Sequence, residues 1–134
     1  MSAHRVVWCD RGWLPVYFGF CPSERAWRRE LKRLGVPPQP YPVSDGRCTW
    51  FAAPDGKLCA LVTIAERIDG MDPVGLVGLL VHEAAHVWQK ICEDIGEDAP
   101  SMELEAYALQ NITLALIEAY RDTRPGLARK RWAP

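Results

Sequence analysis

Short apolar and aromatic runs alternate along this chain with stretches in which apolar residues recur every three or four positions. Val6 to Cys9 and Leu14 to Phe20 are rich in Val, Tyr, Phe and Trp and are separated by Asp10-Arg11-Gly12-Trp13. They predict two strands paired as a hairpin. Ser23 follows a proline and precedes ERAWRRELKRLG, which predicts a helix with Ser23 as N-cap and Gly35 as its stop. Ala26, Trp27, Leu31 and Leu34 would form its buried stripe, with the arginines and lysine as a solvated face. Val36 to Gly46 holds four prolines and predicts a loop. Arg47 to Ala53 and Lys57 to Ile64 are β-rich runs joined by Pro54-Asp55-Gly56, which predicts a second hairpin. Ile68 to Pro73 breaks the chain. Asp72 is an expected N-cap with Pro73 in the first turn, opening a helix to Ile95 that Gly96 ends. A further long helix is predicted from Ser101 to Arg121, ended by Thr123-Arg124-Pro125-Gly126. The order predicts an α+β fold, a small antiparallel or mixed sheet packed on helices.

Length and charge narrow the picture. A chain of 134 residues fits one domain, 1–134, large enough to bury a core without staples. Sixteen basic residues against seventeen acidic ones leave a net charge of −1, which speaks against partners recruited by overall charge. The lopsided piece is Arg121 to Arg131, with five basic residues against Asp122. This tail, about 122–134, is short, which disfavours nucleic acid as a partner. The five cysteines form no CxxC pair, so free thiols in a reducing cytoplasm are expected rather than a cysteine-held zinc. Met1 to Asp10 lacks the pattern of a signal peptide. The longest apolar run, Val74 to Val81, contains two glycines and is about half the length needed to span a membrane. A cytoplasmic protein with no membrane partner is expected; oligomeric state is left open.

Two of the three histidines stand four apart in LLVHEAAHVW, residues 79–88. On a helix, positions i and i+4 lie one above the other, so His82 and His86 direct their imidazoles towards one point, as zinc requires. Glu83 lies about 100° round the helix, placed to reach a metal-bound water rather than the metal. This is an HExxH arrangement. At this chain's His and Glu frequencies it arises by chance in roughly one sequence in a few hundred, so the surrounding pattern has to carry part of the argument. Val77, Val81, Ala84, Trp88, Ile91 and Ile95 form an expected core stripe, while His82, His86, Gln89 and Glu93 form a separate polar one.

Zinc held by two histidines needs a third protein ligand. In the HExxHxxGxxH spacing Gln89 replaces the glycine and Cys92 takes the last position, where it faces away from the metal. The next helix offers Glu103 and Glu105, seventeen and nineteen residues after His86. Glu105 shares a stripe with Leu109, Ile112 and Leu116 and so faces the preceding helix. It is the expected third ligand, with Glu103 as one alternative and, for Glu105, a salt bridge or a hydrogen bond that orients one of the histidines as the other.

HEAAH followed by ELEAYALQNI resembles the gluzincins, zincin metallopeptidases whose third ligand is a glutamate. It is similar to the ImmA/IrrE-type metallopeptidases and, more closely, to small HExxH proteins encoded by tailed bacteriophages and prophages. The resemblance covers about Leu58 to Thr113. Tyr107 and Gln110 depart from the ExEANxFA pattern. The resemblance implies a minimal zincin-like fold, Zn2+ as cofactor, a protein or peptide substrate, a bacterial host cell and a strand bordering the cleft. Lys57 to Ile64 is expected in that last role, its edge pairing with an extended peptide. It also implies peptide-bond hydrolysis with Glu83 as the base; that mechanism needs a further donor for the oxyanion, for which His4, Tyr41 and Tyr107 are the candidates in the sequence. The alternative is a non-catalytic zinc-binding phage protein acting as a binding, inhibitor or assembly factor.

Overall fold

A computed structural model describes residues 4–65 and 71–124. The sheet has four strands, β1 (Val7–Trp8), β2 (Tyr17–Cys21), β3 (Gly46–Ala52) and β4 (Leu58–Ile64), in the order β1-β2-β4-β3. β1 and β2 pair antiparallel, as do β3 and β4, and β2 lies parallel to β4. The sheet is therefore mixed. A parallel neighbour demands a crossover, and α1 (Glu24–Leu34) provides it between β2 and the second hairpin. Two long helices follow, α2 (Pro73–Ile95) and α3 (Met102–Asp122), packed against each other. The basic tail from residue 125 onward, Trp132 included, lies outside the described residues.

The helix ends follow from local chemistry. Ser23 Oγ accepts from Ala26 N–H, Asp72 from Val74 N–H and Ser101 Oγ from Leu104 N–H, each satisfying an amide that the first turn leaves open. Gly35 and Gly96 close α1 and α2 in the left-handed conformation at φ 72° and 71°, where a side chain would be strained.

Side-chain alternation along the strands feeds two cores on opposite sheet faces. Phe18, Phe20, Ala60, Val62 and Ile64 meet α2 and α3, whereas Cys21, Phe51 and Leu61 meet Trp27 and Leu31 of α1. On α2 the buried arc differs from the expected stripe. Leu80, Ala84, Val87, Trp88 and Ile91 are buried, while Val77, Val81 and Ile95 are 43–47% exposed. The arc is turned by about 40° towards Glu83, because α2 packs against β3 as well as α3.

α1 is unusual in charge. Arg25, Arg28, Arg29, Lys32 and Arg33 are all exposed and share an arc of about 140°. Arg28 pairs with Glu24 at 3.5 Å, and Arg33 with Glu30, which also accepts from Trp8 Nε1. Five like-charge neighbours remain at i,i+3 or i,i+4, each unfavourable by about 0.2–0.5 kcal/mol in an isolated helix.

All five cysteines are free. Burial pushes the Cys9 thiol up to about 12, helped by Glu118, and does the same for Cys48, helped by Glu83. At pH 8, alkylation of these two sites in the native chain should run roughly a thousandfold slower than in the unfolded chain, as read by mass spectrometry of the labelled peptides. The folded state holds these protons above the ordinary value of 9.0. Their contribution to stability is therefore present below that pH and is lost as pH rises past it. Fast native labelling at both sites would contradict this placement.

Candidate functional site

The polar stripe of α2 opens onto a cleft of about 470 Å³ whose other wall is the start of β3. His82, His86, Gln89 and Glu93 all line it, as the spacing predicts, and Ser44, Gly46, Arg47, Cys48 and Trp50 face them. A second cleft of about 410 Å³, bounded by Asp45, Gly75, Gly78 and Leu79, shares Gly46, His82 and Glu83 with the first. Together they make a groove running beside α2 from Gly75 to Glu93, about 27 Å at 1.5 Å per residue. The HExxH residues lie near its middle.

The two imidazoles converge. His82 Nε2 and His86 Nε2 are 3.1 Å apart, with the rings nearly perpendicular at 81°. Gln89 Oε1 lies 3.0 Å from His86 Nδ1. An amide oxygen accepts, so in the tautomer that donates Nδ1–H to it His86 Nε2 carries a lone pair, the form a metal ligand needs. A tetrahedral zinc with Zn–N bonds of about 2.0–2.1 Å would hold its two nitrogens about 3.3 Å apart. The histidine pair fits two positions of such a site.

Glu83 is only 3% exposed, and its Oε2 has no hydrogen-bond partner among the described residues. Burial raises its pKa, opposed by His82, His86 and Arg47. A carboxylate kept dry and under-bonded beside two imidazoles is costly, and such expense is typical of a working group. Gly46 makes the close approach of β3 possible. A Cβ there would lie 2.8 Å from Leu79 Cδ1 and 3.2 Å from Glu83 Oε1.

Glu105 is placed differently from the expected ligand. It does face α2, but its Oε2 accepts from Trp88 Nε1 at 2.8 Å. Trp88 is about 200° round the helix from His86, and Glu105 does not line the cleft. Glu103 is exposed on α3. Cys92 is buried and also absent from the cleft wall. Among the described residues no group of three or more His, Cys, Asp or Glu side chains comes together for a metal. In this structure Glu105 meets neither histidine; its carboxylate serves the indole N–H of Trp88 at the α2–α3 contact, which requires an acceptor.

None of the three expected oxyanion donors lines the cleft. Tyr41 donates to Ile64 O at 3.0 Å and packs on Trp27, in the α1 core. Tyr107 is 62% exposed on α3, and His4 lies before β1. The cationic and hydroxyl groups that do line it are Arg47, Lys90 and Ser44.

The expected peptide-pairing strand is corrected as well. β4 is flanked by β2 and β3 and has no open edge; β3 is the edge strand on the cleft. Ala65 N–H donates to Asp45 O, and Ala53 N–H to Lys57 O, both at 2.9 Å. Those bonds fix the phase of the β3–β4 ladder. Odd-numbered residues from Asp45 to Ala53 bond to β4, and Gly46, Cys48, Trp50 and Ala52 turn their N–H and C=O groups outward. Ser44 Oγ donates to Gly46 O at 3.2 Å. Cys48 and Trp50 keep theirs open among the described residues. The alternation of β3 carried this information, but choosing the edge required the parallel β2–β4 pairing, which no local pattern announces.

Compared with family models, curated proteins and solved structures, the chain gives no match. No helix among the described residues is long and apolar enough to cross a membrane.

Proposed function

We propose that this chain is a zinc-dependent metallopeptidase of minimal zincin-like architecture, acting on an extended peptide. The observation that carries the reading is the groove of about 27 Å with His82 and Glu83 shared by its two halves and an open strand edge along one wall. About eight extended residues have that length. His82 and His86 would hold the zinc, and Glu105 is the proposed third ligand although its carboxylate accepts from Trp88 Nε1 in this structure. When bound, the ion would supply Lewis-acid polarisation of the scissile carbonyl and a more acidic water.

The chain's own residues do the rest. The open N–H and C=O groups of Cys48 and Trp50 bind the substrate backbone and fix its register. Glu83 Oε2, buried and unpartnered, takes the proton from the attacking water and returns it to the leaving amine nitrogen. Its raised pKa brings it closer to the working range for that exchange. Gln89 keeps His86 in the tautomer with a free Nε2.

One observation favours a second reading, a zinc-binding protein without turnover: the third ligand is not gathered among the described residues. The test is digestion of a peptide library by zinc-loaded protein, read by mass spectrometry, beside Cys48→Pro and Thr49→Pro variants. The Cys48 N–H points outward, so proline there should leave the fold intact and lower kcat/KM about tenfold through loss of a backbone bond. Thr49 N–H belongs to the β4 ladder, so its proline variant should unfold. Cleavage by the wild type with no loss in Cys48→Pro would remove the β3 edge from substrate binding. No cleavage of any library peptide would favour the second reading.

A further inference from the structure

The charged face of α1 is not used by the groove beside α2. It lies on the opposite side of the sheet. Arg25, Arg29 and Lys32 have no acidic partner among the described residues. Beside them runs an apolar depression of about 730 Å³, floored by Leu31, Val36, Pro38 and Pro40 and rimmed by Arg28 and Lys32. No aromatic side chain lines it among the described residues: Trp27 is 1% exposed with its indole N–H bonded to Gln39 O, and Tyr41 packs edge-on against Trp27 with its hydroxyl donating to Ile64 O. The surface therefore has cations and an apolar floor but no stacking platform of the kind that binds nucleic-acid bases. It calls for an acidic protein segment that carries aliphatic side chains.

The same chain carries such a segment. The turn between α2 and α3 exposes Asp94, Glu97, Asp98 and Glu103, none paired with a cation among the described residues. Among and just after these acids Ile95, Met102 and Leu104 are 47%, 87% and 42% exposed. Because α1 and the α2–α3 pair cover opposite sheet faces, the two surfaces belong to different sides of one molecule. We infer that the occupant of the α1 groove is a second copy of this chain, entering with its α2–α3 turn. The contact is head-to-tail, so it propagates into a ring or a short filament rather than closing as a two-fold dimer.

Sedimentation and light scattering on the purified chain test this. At on the order of 100 µM protein and low salt the mean mass should exceed that of the monomer, and it should fall to the monomer value near 0.5 M salt as the charges are screened. The variants Arg29→Ala/Lys32→Ala and Asp94→Lys/Glu97→Lys each remove one side of the contact, without making the two altered surfaces complementary to each other, and should each be monomeric while keeping the wild-type circular dichroism. Mixed together, they retain one intact groove and one intact turn, and should give a 1:1 dimer of twice the monomer mass that grows no further. A wild type that stays monomeric at low salt overturns the inference. So does association that survives either double variant, or a mixture that forms nothing.

Discussion

Glu83→Gln is expected to lower peptide hydrolysis by about 10²–10⁴-fold while leaving zinc content unchanged and thermal stability equal or higher. The two effects have one source. Glu83 is 3% exposed, and one of its oxygens has no hydrogen-bond partner among the described residues. Ionised, it carries a desolvation cost that the histidines and Arg47 only partly offset, which is why its pKa is raised. Glutamine has the same shape and no charge, so the folded chain loses the cost and the proposed reaction loses its base. The measurement pairs initial cleavage rates with a melting curve and elemental analysis on the same preparation. Unchanged cleavage in Glu83→Gln would remove the carboxylate from the chemistry. Lost zinc in that variant would mean that Glu83 holds the metal itself.

His82→Ala and His86→Ala should each reduce bound zinc from about one per chain to near none, because a site with a single remaining imidazole binds too weakly to survive purification. The convergence of the two Nε2 atoms at 3.1 Å is the basis for this. Elemental mass spectrometry on protein purified without chelator reads the result. Glu105→Ala is the informative companion. If Glu105 completes the ligand set, zinc falls as it does in the histidine variants. If it serves only as the acceptor for Trp88 Nε1–H, zinc stays and stability drops by about 1–3 kcal/mol, the cost of an unsatisfied buried indole. Zinc retained in both histidine variants would remove the HExxH pair from metal binding altogether.

What was legible in the chain divides along local and non-local lines. The limits of α2 were readable from Asp72, Pro73 and Gly96, because caps act within a few residues. The stripe of His82, His86, Gln89 and Glu93 was readable because helix geometry alone puts those side chains on one face. The cleft wall at Ser44, Gly46, Cys48 and Trp50 was not. It depends on β4 lying between β2 and β3, which pushes β3 to the edge, and strand order is set by how the whole sheet closes over its two cores. Val77, Val81 and Ile95 match the helical period, but the period does not say that α2 has two partners. Glu105 was correctly directed at α2. The competition of the Trp88 indole for its carboxylate is a tertiary effect that spacing cannot show.

The open edge of β3 has a consequence for chemical biology. If the proposed peptidase reading holds, two residues that offer only amide and carbonyl groups read the shape of a main chain and ignore what is attached to it. An effective inhibitor would then be chosen by stiffness before sequence: a short β-strand mimic with a zinc-seeking head group, its amides left unmethylated where they meet Cys48 and Trp50. Methylation at those amides, with every side chain kept, makes the matched inactive control.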